Sequence, residues 1–283
     1  MAVKVTADMV KELRERTGVG MGKCKEALDQ AAGSMDEAID ILRKAGMASA
    51  VKKEGREVNE GLIGSFEGKD AIALVEVNAE TDFVTQNEKF KQFLADVAAQ
   101  VADTKPSSVE ALLKQAYSKD PSITIDQHRS LVIQSLGENI QIKRLAIIPK
   151  SPDLSIGIYS HMGGKIVCAV VLSGGSGEEA LSRDIAMHVA AEAPDYLQPS
   201  DVPAAIREKE AEIARGQVVG KPANIVDKII EGKIKAFCDQ VCLICQKYVR
   251  DNTLTITGLL EKESKRLNKT LHIQTFYRWK VGG

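Results

Sequence analysis

Apolar positions along the chain recur at two periods. At helical spacing, Val10 and Leu13 stand among Lys11, Glu12, Arg14, Glu15 and Arg16, with Thr6 placed to cap the helix and Gly18 to end it. Cys24, Ala27, Leu28 and Ala31 form the apolar side of a second short helix closed by Gly33. Ser34-Met35-Asp36-Glu37 has the spacing of a capping box and opens a third, with Ala38, Ile39, Ile41 and Leu42 inward. These three helices predict a bundle over residues 1–48, too small for catalytic work and suited to docking. The stretch 49–60, with Lys52, Lys53, Glu54, Gly55, Arg56 and Glu57, has no apolar periodicity and reads as a linker.

Beyond Gly61 the pattern turns to strands. Residues 61–69 followed by 72–77 predict a β-hairpin turning at Gly68, Lys69 and Asp70, and residues 155–165 followed by 166–172 predict another. Gly61 pairs with Gly157, Lys69 with Lys165 and Val75 with Val171, each 96 positions apart. A helix follows each hairpin, and Ala95-Asp96-Val97-Ala98-Ala99 matches Met187-His188-Val189-Ala190-Ala191 at a shift of 92. The first copy therefore carries four more residues between hairpin and helix, in the region of Thr81 to Val84. Each copy closes with a further helix and a third strand, at 126–136 with 139–148 and at 257–267 with 270–279. The fold class expected is α+β: after the bundle come two related lobes, each a three-stranded antiparallel sheet with helices on one face, at 61–150 and at 151–202 with 236–283. The second lobe is interrupted at 203–235 by two charged helices with apolar stripes, Ile206 and Ile213 on one and Ile225, Ile229, Ile230 and Ile234 on the other, broken between Gly216 and Pro222. This antiparallel helical hairpin offers a stripe to a second copy of the chain, as a homodimer, or to another partner.

Between the strand ending near Asn78 and the helix starting near Asn87, the connection reads Ala79-Glu80-Thr81-Asp82-Phe83-Val84. A large aromatic beside a carboxylate on such a loop is either tucked under its own domain or offered to a pocket elsewhere. Loop chemistry favours the anchor, whereas the extra residues of this copy favour the offered side chain.

Composition narrows the field. Over 283 residues, 38 basic and 39 acidic side chains leave a net charge of −1, so no global field recruits nucleic acid or an anionic membrane. There is no apolar run near the roughly 18 residues of a membrane span, and Met1-Ala2-Val3-Lys4-Val5-Thr6 lacks the apolar core of a signal peptide. The chain reads as soluble and cytoplasmic. Five cysteines, odd in number and thinly spread, point to reduced thiols.

Several motifs imitate chemistry. Gly18-Val19-Gly20-Met21-Gly22-Lys23-Cys24 suggests a phosphate loop, but Thr17 stands where the first Gly belongs, Cys24 replaces the magnesium-binding hydroxyl, and a helix precedes it where a strand is required. Gly175-Ser176-Gly177-Glu178-Glu179-Ala180 fits a dinucleotide fingerprint, yet Glu178 and Glu179 would face the pyrophosphate. Cys238, Cys242 and Cys245 contain one C-x-x-C, and a tetrahedral zinc would need a distant ligand such as His272. His188 lies on a very apolar helix as a core histidine, and His161 sits at the tip of the second hairpin beside Met162 and Gly163, suited to contact. No nucleophile, base and orienting carboxylate converge in a short stretch, so the expectation is neither an enzyme nor a cofactor or metal protein.

Thr17-Gly18-Val19-Gly20-Met21 with Cys24-Lys25-Glu26-Ala27-Leu28, then Thr81-Asp82-Phe83-Val84, then the helix at 185–191 with Pro194, together resemble the translation elongation factor Ts family over nearly the whole chain and in the same order. The resemblance implies a ubiquitin-associated-like (UBA-like) bundle at the amino terminus and a role as guanine-nucleotide exchange factor for elongation factor Tu, in its GDP-bound and nucleotide-free states. It implies that Thr81, Asp82, Phe83 and Val84 form the exchange motif that dislocates the partner's magnesium, with Phe83 as the wedge and Asp82 and the adjoining backbone positioning it. It further implies partner contacts at Arg14, Met21, Lys23, Lys53, Leu136, His161 and Val249, and no direct nucleic-acid or membrane partner. Two departures bear on affinity: Gly22 stands where some relatives have a second docking Met, and the sequence stops at Gly283 without the additional carboxy-terminal helix of some members. The competing readings are a plain binding module whose bundle takes a ubiquitin-like or nucleic-acid partner, and a metal or redox protein built on Cys238, Cys242 and Cys245.

Overall fold

The computed structural model describes residues 4–217 and 223–283. The chain is mixed α+β and divides into two compact units, one comprising Met1–Lys150 with Gly163–Lys165 and Lys280–Gly283, the other Ser151–Met162 with Ile166–Trp279.

The first unit opens with α1 (Ala7–Thr17), α2 (Met21–Gln30) and α3 (Met35–Lys53). The Thr6 hydroxyl caps α1 by accepting from Met9 N at 3.3 Å, and Gly18, at φ 69°, ends it in the left-handed region. The Ser34 hydroxyl accepts from Glu37 N at 3.4 Å, which is one half of the expected capping box. Val10, Leu13, Cys24, Leu28, Ala38 and Leu42 make the small core of the bundle. The third helix runs through to Lys53, so the linker expected at 49–60 shrinks to the residues after it. Tertiary packing explains the difference. Ala50 is buried in the core of the following lobe, and a Cβ on Gly46 would lie 3.4 Å from the Ser130 carbonyl, so this end of α3 is held as helix by a neighbour that periodicity within the linker does not reveal.

The lobe that follows holds β1 (Glu60–Glu67), β2 (Ala71–Ala79), α4 (Asp82–Thr85), α5 (Glu88–Thr104), α6 (Val109–Leu113), β3 (Ala116–Tyr117), β4 (Asp120–Thr124), α7 (Ile125–Leu136) and β5 (Ile140–Pro149). Its sheet has the antiparallel order β1-β2-β5, and Phe90, Phe93, Val97 and Val101 of α5 pack on Ala73, Val75, Val77 and Ala79 of β2.

The second unit repeats the scheme with β6 (Leu154–His161), β7 (Ile166–Ser173), α8 (Glu179–Glu192), α9 (Ala204–Gly216), α10 (Ala223–Val241), β8 (Lys247–Tyr248), β9 (Asp251–Thr255), α11 (Ile256–Leu267) and β10 (His272–Lys280). Here the order is β10-β7-β6. Helices α9 and α10 form the interrupting hairpin, with Ala211, Ala214 and Ile230 between them. Its second helix extends past the expected boundary at 235 to Val241, because Phe237, Cys238 and Val241 pack with Val202, Tyr196 and Cys242 at its root. The expected break from Gly216 to Pro222 lies outside the described residues from 218 on, as does the side chain of Ile225.

The structure corrects the repeat. In the helices the shift of 92 holds to the residue: buried Phe90, Phe93, Leu94, Asp96 and Val97 of α5 match buried Ser182, Ile185, Ala186, His188 and Val189 of α8. In the strands the shift of 96 fails. The β7 residues facing the helix are Cys168, Val170 and Leu172, so the counterpart of Val75 is Val170, and an even offset would put Val171 on the opposite face. The strand shift is 95, and the first lobe exceeds the second by three residues rather than four, accommodated by the extra helical turn α4. The glycine lying under the helix is likewise Gly64 rather than Gly61 in the first lobe, a Cβ there approaching Leu94 to 2.8 Å. Two small hairpins, β3-β4 and β8-β9, carry a further repeat: Ile125 N donates to Gln115 O and Ile256 N to Gln246 O. These strands are too short for alternation to register.

The motifs that imitate chemistry take the following places in the fold. The 18–20 segment joins two helices, and Cys24 is buried. Glu178 pairs with Lys269 at 2.8 Å. Cys238 and Cys242 are buried free thiols and Cys245 is half-buried; burial raises Cys245 and pushes Cys242 up to about 12, the reverse of a reactive thiolate. No helix among the described residues is long and apolar enough to cross a membrane.

Candidate functional site

Strand β2 delivers the chain to a single helical turn. Thr81, extended at φ −128°, is the N-cap of α4 and its hydroxyl accepts from Val84 N at 3.5 Å. The Thr85 hydroxyl donates to Asp82 O at 2.7 Å, Gln86 N donates to the same carbonyl at 3.2 Å, and Asn87 N donates to Val84 O at 3.0 Å. A turn so closed has two sides. Thr85 is fully buried and Val84 packs on the lobe core, while Phe83 is 84% exposed, the largest exposure among the exposed large hydrophobics. The phenyl ring is therefore offered to solvent rather than used as an anchor.

Asp82 is exposed, and its side chain makes no hydrogen bond or ion pair among the described residues. An outward carboxylate on the first turn suits the helix dipole, and the bonds that hold the turn within the chain are made by its neighbours. Thr81 donates twice to Glu138, from N to Oε2 at 3.0 Å and from Oγ1 to Oε1 at 2.6 Å. Asn139 N donates to Glu80 Oε1 at 2.6 Å, and Arg56 lies 3.4 Å from the same carboxylate. Glu80, Glu138 and Asn139 hold the turn, a place that sequence reasoning did not give them. Glu138 and Asn139 follow Leu136 in the chain, but nothing in the pattern of residues pairs them with a turn 57 positions away.

The bundle brings further expected positions to this unit. Arg14, Met21 and Lys23 are exposed on α1 and at the start of α2, Met21 by 49%. Lys53, half-buried at the end of α3, lies within electrostatic reach of Lys23, Arg56, Glu80 and Glu138: burial pulls its ammonium pKa down, Arg56 and Lys23 add to that, and the two carboxylates oppose it. Lys53 thus neighbours Lys23 on one hand and, on the other, the two carboxylates that hold Asn139 and Thr81. Leu136 ends α7 half-buried against the lobe core. The Gly18 carbonyl accepts from Lys89 Nζ and from Ser135 Oγ, fastening the bundle to the lobe. A cavity of about 850 Å³ between bundle and lobe is lined by Arg43, Asp96, Lys119, Asp120 and His128. Within it Lys119 pairs with Asp96 and Arg43 with Asp120, and its lining does not include the turn at 81–85.

In the second unit, His161 ends β6 and is exposed, its ring stacked on Tyr159 at 6.0 Å between centroids, with the Arg183 guanidinium 6.0 Å from the Tyr159 centroid. Met162 beside it is 69% exposed at φ 51°. Val249, 44% exposed, caps the β8-β9 hairpin, and its N donates to His188 Nδ1 at 3.2 Å.

An exposed aromatic on a clamped turn, a helical bundle and two related lobes are the features that comparison with known proteins places in a family. Residues 80–283 match the family model described as Elongation factor TS. The chain belongs to the elongation factor Ts family. The Elongation factor Ts of Protochlamydia amoebophila (strain UWE25) is 60% identical over 278 residues, covering 98% of this chain and 99% of the relative. That of Chlamydia trachomatis serovar L2b is 44% identical over 275 residues, covering 97% and 98%, and that of Chlamydia caviae is 44% identical with the same coverage. The Ts family model starts at Glu80, the carboxylate holding Asn139, while similarity to these Ts relatives spans the bundle as well.

Proposed function

We propose that the chain is a guanine-nucleotide exchange factor that binds elongation factor Tu carrying GDP and accelerates GDP release. The observation that carries the reading is Phe83, a phenyl ring left in water by a turn whose Thr81, Val84 and Thr85 side chains are secured. Burying such a ring in a partner is worth roughly 1.5–3 kcal/mol, enough to drive a local displacement in the protein that receives it. Phe83 enters between partner helices, and the exposed Asp82 meets the partner beside it. The shift this imposes on the partner's phosphate loop and magnesium ligands weakens GDP; by linkage, bound GDP weakens the exchange factor by the same factor. GTP then rebinds to the emptied site. No bond in a substrate is made or broken, so the activity is exchange and not enzymatic turnover.

Arg14, Met21 and Lys23 on the bundle, Lys53 and Leu136 near the clamp, and His161 and Val249 on the second unit are the further contacts of this reading. Labelled GDP preloaded on elongation factor Tu tests it. Addition of the chain is expected to speed release well above the spontaneous rate, and release at the spontaneous rate would overturn the proposal.

A further inference from the structure

We propose that Glu138 is the positioning residue of the exchange turn, fixing the direction in which Phe83 leaves the surface; this rests on the exchange-factor reading above. The register of the sheet carries the inference. Val77 faces Ile142, Asn78 faces Gln141 and Ala79 faces Ile140. Continued one and two residues further, Glu80 falls opposite Asn139 and Thr81 opposite Glu138. Main-chain pairing stops there, and two carboxylates replace it in reciprocal fashion: Glu80 takes the N–H of Asn139 at 2.6 Å, and Glu138 takes the N–H of Thr81 at 3.0 Å. The strands end, yet their geometry is carried into the turn.

Glu138 also accepts from the Thr81 hydroxyl at 2.6 Å, a short charge-assisted bond. With its proton committed to that carboxylate, the hydroxyl presents a lone pair to Val84 N, so Glu138 orients the cap of α4 as well as its entry. A helix of four residues has no stability of its own, and its axis follows its anchors. Those anchors are Thr81 at the start and Val84 with Thr85 underneath. Glu138 is itself held between Gly137, which ends α7 at φ 85°, and the buried Asn139, whose Nδ2 donates to Glu54 O at 3.3 Å and to Arg56 O at 2.9 Å. The turn is thereby tied to the segment leaving α3.

The test combines Glu138→Ala and Glu138→Gln, each alone and with Phe83→Ala, and measures two things on the full chain: the GDP release rate at saturating chain, and amide hydrogen exchange at Thr81 and Val84. Glu138→Ala is expected to slow release about tenfold and to speed amide exchange in the turn while β2 and α5 keep their protection. In the Phe83→Ala background it should cost nothing further, because the residue acts through the ring. Glu138→Gln, which keeps one acceptor oxygen, should lose less, and it carries the test if the alanine variant does not fold. Equal fractional losses in both backgrounds, or unchanged amide exchange at Thr81 and Val84, would overturn the proposal. A wild-type chain that leaves GDP release unchanged would instead sink the exchange reading, and hydrogen exchange would still decide whether Glu138 orders the turn.

Discussion

Val249 donates its backbone N–H to Nδ1 of His188 at 3.2 Å, which hangs an exposed hairpin residue on a fully buried imidazole. The other ring nitrogen lies 3.0 Å from Gln246 Oε1, and Gln246 Nε2 donates to Glu192 O and Gln240 O. The amide oxygen of Gln246 must therefore accept, so His188 carries its proton on Nε2 and offers a lone pair at Nδ1. A second proton would set N–H against N–H at Val249.

The pH dependence follows. Burial lowers the His188 pKa, with Gln246 and Glu192 opposing. A folded value below the unfolded one, about 6.5, means that the unfolded chain binds the extra proton first. The neutral imidazole thus contributes stability that is fully present above about pH 6.5 and is lost as pH falls through the folded value. His128, which stacks on Tyr117 at 4.2 Å and is also lowered by burial, adds a slope of the same sign. Thermal unfolding between pH 7.5 and 5 should show the wild type losing more stability than His188→Leu, itself less stable at pH 7.5. Parallel curves for the two proteins would refute the assignment.

Phe83→Ala should separate folding from function. At 84% exposure the ring contributes little to its own lobe, and the melting temperature should move by no more than a surface substitution allows, within about 0.5 kcal/mol. Acceleration of GDP release should fall by at least tenfold, since interface aromatics of this kind cost about 2 kcal/mol or more when truncated. Phe90→Ala, seven residues on and fully buried, is the contrast: a loss of about 3–5 kcal/mol in stability is expected. A Phe83→Ala protein that melts like Phe90→Ala would restore the anchor reading.

What could be read in the sequence follows from how far each signal reaches. Caps and periodicity are local, so Thr6, Gly18 and the helix after Asn87 stood out, and the position of Phe83 on a connection followed from its neighbours. Pairings across the chain were not legible. Thr81 meets Glu138 only because β2 and β5 are in register, and α3 runs on to Lys53 only because α7 lies against Gly46. The strand repeat failed for a third reason. Matching identities at an even offset ignored the alternation of faces, which Val75 and Val170 obey and Val171 does not.

Gly157 tests the close approach of strand and helix in the second lobe. A Cβ there would sit 2.0 Å from Arg183 N and 2.3 Å from Ser182 C, both backbone atoms that no rotamer change can move. Gly157→Ala should therefore push α8 away from β6 and cost more than 3 kcal/mol, beyond the usual 1–3 kcal/mol of overpacking. Gly64→Ala in the first lobe meets the branched end of Leu94, a side chain that can turn, and should cost less. Urea unfolding of the two variants checks the order, and a reversal of it would show that α8 is the more yielding helix.

Asp96 holds the place in the first lobe that His188 holds in the second, and it solves the same problem with the opposite charge preference. Its carboxylate, 7% exposed, accepts from Tyr117 OH at 2.6 Å, Lys119 Nζ at 2.6 Å and Gln92 Nε2 at 2.7 Å. Burial pushes the carboxyl up, but the three donors outweigh it and hold the group below the usual carboxylate range. Its contribution is present above about pH 3.9, the unfolded value, and is lost as pH falls through the folded one. Asp96→Asn places an amide N–H₂ against one of these donors and should cost about 2–3 kcal/mol at pH 7, with a shallower acid limb than the wild type. Lys119→Ala removes a partner whose side chain is 60% exposed while leaving Tyr117 and Gln92 in place, so about 1 kcal/mol or less is expected. Denaturant unfolding at pH 7 and pH 3.5 measures both, and equal losses for the two variants at pH 7 would mean that the ion pair, rather than the buried hydrogen bonds, secures the β3-β4 hairpin to α5.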